Sequence, residues 1–176
     1  MAAALGLSIY AFVTGGSPAD LAQPPARGGR ATGPLCRASQ LSATTGMQGA
    51  AGSMLGEATL TNTGRSACSL PSSRPQVRIL WRGRRLAARE TGGMAVSDET
   101  RVRVLAPHSK AAIYMDWRDW CGNPPETTTI RPVFRLRFTH LAINAPAGAM
   151  STPRCDSPGS GTRGSTIAVS PPLTNT

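Results

Sequence analysis

Four cysteines, Cys36, Cys68, Cys121 and Cys155, constrain this 176-residue chain more than any other feature. They stand far apart. A structural zinc site draws its ligands from close pairs, so this spacing argues against one and no metal is assigned. An even set of separated cysteines behind a secretion-like N-terminus reads instead as two disulfides formed in an oxidising compartment. Counting alone leaves three pairings open.

The N-terminus points to the same compartment. Residues 2–13 are apolar apart from Ser8. That run suits the core of a signal peptide and falls short of the ~20 residues that cross a bilayer. Ser17-Pro18-Ala19 then sets small residues where a signal peptidase reads the chain. No Lys or Arg precedes the run, whereas a signal normally opens with one, so a start upstream of Met1 is expected. Leu35 directly precedes Cys36, where a lipid-attachment site would carry a small residue. Residues 1–19 are therefore read as a signal-like segment, and 20–35, with its scattered prolines and glycines, as a disordered linker. The folded domain is expected over 36–170 and a flexible tail over 171–176. Secretion is favoured over tethering by an uncleaved N-terminus.

Within the domain the signals are those of strands. The chain carries 19 glycines and 15 prolines, and 5% of its residues are aromatic. No long stretch repeats apolar residues at helical spacing. Short alternating runs predict strands at 40–45, 54–61, 76–81, 84–88, 99–105, 111–117, 133–138 and 166–170, with 46–52 as a glycine-rich connection. Eight short strands separated by turn signals argue for an all-β fold, an antiparallel immunoglobulin-like β-sandwich. A hairpin of the first two strands also orders the cysteines. Residues equidistant from its centre face each other, and Cys36 and Cys68 are equidistant from Gly52. This favours Cys36–Cys68 and leaves Cys121–Cys155.

Several segments carry a family resemblance. They are Cys36-Arg37-Ala38-Ser39-Gln40-Leu41, Gly49-Ala50-Ala51-Gly52, Leu60-Thr61-Asn62-Thr63-Gly64, Cys68-Ser69-Leu70 and Pro75-Gln76-Val77. Trp117-Arg118-Asp119-Trp120-Cys121 and Arg154-Cys155-Asp156 complete the set. In order and spacing the chain resembles the actinobacterial secreted and lipoprotein family called domain of unknown function 4232, from Cys36 to about Val169. The resemblance implies an exported β-sandwich. It transfers no catalytic residue, because the family has no established activity.

Function is read from what the chain lacks and from its charge. His108 and His140 are the only histidines, and neither lies in a motif that pairs it with a nucleophile. There is no nucleophile elbow, no glycosidase-type carboxylate pair and no lysine-bearing phosphate loop. An enzyme is not expected, nor a cofactor. The rivals to a binding module are an envelope-acting hydrolase assembled from scattered residues and a purely structural envelope protein.

The net charge is +10, and Lys110 is the only lysine among 19 basic residues. A G+C-rich genome is the plainer origin of the arginine excess, and an anionic partner is the functional one. Strand parity puts Val77, Ile79, Phe134, Leu136 and Phe138 inward. If 76–82, 109–118 and 131–138 share one sheet, Arg78, Arg82, Arg118, Arg135 and Arg137 converge outward as a candidate anion-binding face. Trp117 is expected in the core. Tyr114 and Trp120 are placed as a candidate aromatic margin, with packing over the Cys121 bridge as the plainer role for Trp120. The partners that fit are an anionic envelope polymer, a lipid headgroup or a protein, met by a monomer. Secretion disfavours nucleic acid.

Overall fold

The computed structural model of this protein describes residues 33–50, 52–94, 104–156, 158–159 and 164–174. The signal-like segment 1–19, the linker up to residue 32 and the strand expectation at 99–103 lie outside the described residues.

The elements among the described residues include the 3₁₀ turn Ala38–Gln40 and twelve strands. β1 is Leu41–Ala50, β2 Ser53–Asn62, β3 Cys68–Ser69, β4 Gln76–Trp81, β5 Arg84–Leu86 and β6 Arg89–Glu90. β7 is Val104–Leu105, β8 Lys110–Arg118, β9 Val133–Arg137, β10 Ala142–Pro146, β11 Thr166–Val169 and β12 Leu173–Thr174. β8 is the central strand of the larger sheet, ordered β1-β2-β8-β11-β6, and β12 pairs with its first half. The smaller sheet is ordered β10-β9-β4-β5, and β3 and β7 form a separate short pair.

Alternation explains which side of each strand is buried. Ile113, Met115 and Trp117 of β8 are buried while Tyr114 and Arg118 are exposed. On the smaller sheet Val77, Ile79, Phe134 and Leu136 are buried while Arg78, Arg135 and Arg137 are exposed. Each large apolar side chain removed from water stabilises the fold by roughly 1.5–3 kcal/mol. The two inner faces meet at Trp117, whose ring lies edge-on to Phe134 at 6.4 Å and to Trp120 at 5.7 Å. Its Nε1 donates to Ser165 Oγ at 3.0 Å, so the one polar atom of this buried ring is satisfied.

Both open sides of the sandwich are stitched. On one side Thr45 of β1 bridges Ala147, and its hydroxyl donates to the Ala145 carbonyl at 3.1 Å. On the other, the Val77 N–H of β4 donates to Glu90 Oε1 of β6 at 2.7 Å.

The disulfides are Cys36–Cys68 and Cys121–Cys155, and no cysteine is free. Two such bridges suit an oxidising, extracytoplasmic environment. No helix among the described residues is long and apolar enough to cross a membrane. The pairing is the one hairpin symmetry favours, but the route to it differs. The β1–β2 ladder stops at Leu41 opposite Asn62. The 3₁₀ turn then redirects the chain, so that Leu35 bridges Ser69 in parallel and Cys36 N–H donates to the Ser69 carbonyl at 3.0 Å.

The structure corrects several sequence expectations. β1 runs through the glycine-rich stretch to Ala50, which pairs with Ser53 of β2. Residues 33–35 are held by the domain rather than left in the linker: Ser69 N–H donates to the Pro34 carbonyl at 2.8 Å. Residues 171–174 of the expected tail are also tied down, with Pro171, Pro172 and Leu173 buried and β12 paired to Ala111 and Ala112, while 175–176 lie outside the described residues. The sheets are not wholly antiparallel, since β6 and β11 pair in parallel. Most consequential, β8 does not share a sheet with β4 and β9. Parity tells which side of a strand faces the core, not which sheet the strand joins.

Candidate arginine face

The outer side of the smaller sheet is a grid set by its register. Arg78 of β4 stands opposite Arg135 of β9, and Asn144 of β10 continues that row. One row along, Gln76, Arg137 and Ala142 stand side by side. In the other direction the row is apolar, with Leu80, Val133 and Pro146. Because alternate residues of a strand share a face, Arg78, Arg135 and Arg137 project together. With Ala142 they line a concavity of about 330 Å³. Among the described residues, none of the three arginines has an ion pair or a side-chain hydrogen bond. Like charges directly opposite one another on a ladder are destabilising, so the arrangement is not one that packing alone favours.

The remaining members of the expected face lie elsewhere. Arg82 sits in the two-residue turn between β4 and β5, where Arg82 and Gly83 both have positive φ, 50° and 74°. Strand parity ends there, and the guanidinium stacks on the Trp81 ring, 4.7 Å from its centroid. Arg118 belongs to the larger sheet. Its Nε donates to Asp116 Oδ2 at 2.7 Å, Nη2 reaches the same oxygen, and this pairing raises its pKa above the ordinary arginine value. Its charge is engaged, on the opposite side of the sandwich from Arg78.

The aromatic margin is corrected in the same way. Tyr114 is exposed on the outer side of the larger sheet, opposite Glu57. Trp120 is buried at 2% exposure, and its Nε1 donates to the Pro124 carbonyl at 2.8 Å. Its ring packs edge-on against Trp117 in the core, with centroids 5.7 Å apart.

Arg85 was missed. It stands opposite Leu80 on β5, beyond the apolar row of the same face. The signal was present: a two-residue turn at Arg82-Gly83 fixes the hairpin register and puts Arg85 across from Leu80.

A larger groove of about 720 Å³ lies on the outer side of the larger sheet, among Gly46, Gln48, Leu55, Glu57, Met94 and Tyr114. Its carboxylate is already engaged, since the Thr59 hydroxyl donates to Glu57 Oε1 at 2.9 Å. Size favours this groove, whereas unpaired charge favours the arginine face. Charge is the better guide here, because an uncompensated cluster is what a ligand would relieve.

Other chemistry is sparse among the described residues. His108 is an exposed turn residue with φ 62°, and His140 is exposed after β9. Neither imidazole makes a hydrogen bond or ion pair. Asp119, Cys121 and Cys155 cluster as metal-type ligands, but both sulfurs are bonded to each other, which leaves one carboxylate.

The family described as a domain of unknown function, DUF4232, matches residues 36–175. No curated protein and no solved structure matches the chain. The matched span contains both disulfides and all twelve strands, and the chain belongs to the DUF4232 family.

Proposed function

We propose that this protein is a non-catalytic binding module of the cell exterior, secreted or held at the envelope, that takes anionic ligands on the face of Arg78, Arg135 and Arg137. The observation that carries the reading is the row pairing of Arg78 with Arg135, with Arg137 beside them and, among the described residues, no carboxylate bound to any of the three. Guanidinium groups present planar forks of N–H donors that match carboxylate and phosphate oxygens, and several together give both affinity and orientation. The two disulfides support an oxidising compartment for such a module, and anionic polymers and lipid headgroups are the partners this reading expects there.

Exposed ion contacts are individually weak and are screened within ~8 Å at physiological salt. Retention by phosphatidylcholine vesicles containing phosphatidylglycerol should therefore fall steeply as salt rises. The double variant Arg135→Ser/Arg137→Ser should retain wild-type circular dichroism and lose most of that retention. Retention indifferent to both salt and the double substitution would reject the reading.

A further inference from the structure

We infer that the anion taken by this face is a phosphate monoester rather than a carboxylate or a phosphodiester; the inference rests on the anion-binding role proposed above. Residues directly opposite on an antiparallel ladder have Cβ atoms ~5 Å apart, and alternate residues of a strand are ~7 Å apart. Arg78, Arg135 and Arg137 thus form a triangle on one face, close enough for their long side chains to contact a single anion. All three line one concavity, together with Ala142, which stands beside Arg137 on β10. The exposed carboxamides of Gln76 and Asn144 flank it on the same face.

The ligand follows from matching charge and valence to three converging forks. A carboxylate carries one charge and two coplanar oxygens, which fills one fork and leaves two guanidiniums repelling each other. A phosphodiester also carries one charge, and its two free oxygens serve two forks. A phosphate monoester carries about −1.5 to −2 charges near pH 7 and directs three free oxygens outward. Only this anion gives each arginine an oxygen while offsetting most of the local charge. The next row of the face, Leu80, Val133 and Pro146, offers apolar surface to the organic group of the ester. A soluble phosphate ester and a lipid with a terminal phosphate share this chemistry.

Calorimetric titration of the folded, oxidised chain at constant ionic strength separates these anions. Phenyl phosphate and inorganic phosphate should bind at least about tenfold more tightly than dimethyl phosphate or acetate, as expected when charge-assisted bonds are added. Arg78→Gln/Arg135→Gln should abolish the preference. Arg78→Lys/Arg135→Lys should keep the salt-dependent attraction and lose the selectivity, because a point charge replaces the fork. Vesicles then distinguish the sources. Tighter retention by phosphatidic acid than by phosphatidylglycerol at equal lipid charge assigns the site to a lipid headgroup, and no such difference assigns it to a soluble ester. Equal binding of all four small anions would overturn the monoester inference and leave the anion-binding face standing. No binding of any of them, together with no retention on either vesicle, would overturn both.

Discussion

Glu90 and Val77 join the two sheets at an edge where neither sheet's own ladder continues. β5 covers only Ile79, Leu80 and Trp81 of β4, so the Val77 N–H has no strand partner on that side. The Glu90 carboxylate accepts it at 2.7 Å from a strand of the other sheet. A side chain here does the work of a missing ladder rung.

Removing that carboxylate should therefore destabilise the whole domain rather than fray one strand. Glu90→Ala leaves a partly buried N–H unpaired and should cost about 1–3 kcal/mol in chemical denaturation. Glu90→Gln keeps a carbonyl acceptor in place and should cost less than half as much. Equal losses for the two variants would assign the effect to charge instead of to the hydrogen bond.

The two bridges should be unequal in practice although they close loops of similar length. Their sequence separations are 32 and 34 residues, for which chain entropy predicts about 3–4 kcal/mol each. Cys36 and Cys68 are buried at 6% and 0% exposure, whereas Cys121 and Cys155 are half-buried. Cys36→Ser/Cys68→Ser places hydroxyls in the core and should lose more stability than Cys121→Ser/Cys155→Ser. With mild reductant on the native protein, alkylation and peptide mapping should label Cys121 and Cys155 first.

Asp116 and Arg118 provide a third measurement. The Asp116 side chain is 9% exposed; among the described residues its Oδ1 is buried without a partner and Arg118 supplies its only side-chain hydrogen bonds. Arg118→Ala strands a buried carboxylate on the central strand and should cost about 1–3 kcal/mol. Adding Asp116→Ala to it should recover part of that loss, which a double-mutant cycle reads directly. The sign of the pH effect follows from the raised Arg118 pKa. A group whose pKa is higher in the folded state contributes fully below its unfolded value and loses that contribution only as pH rises through its folded value. For an arginine both values lie in strong alkali, so its contribution should be flat from pH 5 to pH 9.

Much of this architecture was legible in the chain because alternation is a local property. The inward residues of β4, β8 and β9 follow from a period of two, and Val77, Phe134 and Trp117 lie where that period puts them. Sheet membership is a long-range property, and it separated Arg118 and Tyr114 from Arg78. β10 escaped notice because Ala142, Asn144 and Pro146 dilute the signal of the buried Ile143 and Ala145. β12 escaped because Pro171 and Pro172 read as breakers, although their rings are buried against the domain. Of the five candidate arginines, the three brought together are the two on β9 and the one on β4 in register with them.

The position of β8 sets the order in which the domain can form. It takes its neighbours from far earlier and far later in the chain: β2 from 53–62, and β11 with β12 from 166–174. The layer that buries Ile113, Met115 and Trp117 is complete only when residue 174 is available. Folding segment by segment from the N-terminal side is therefore closed to this domain. Distant segments have to come together slowly, and the core around β8 is assembled last.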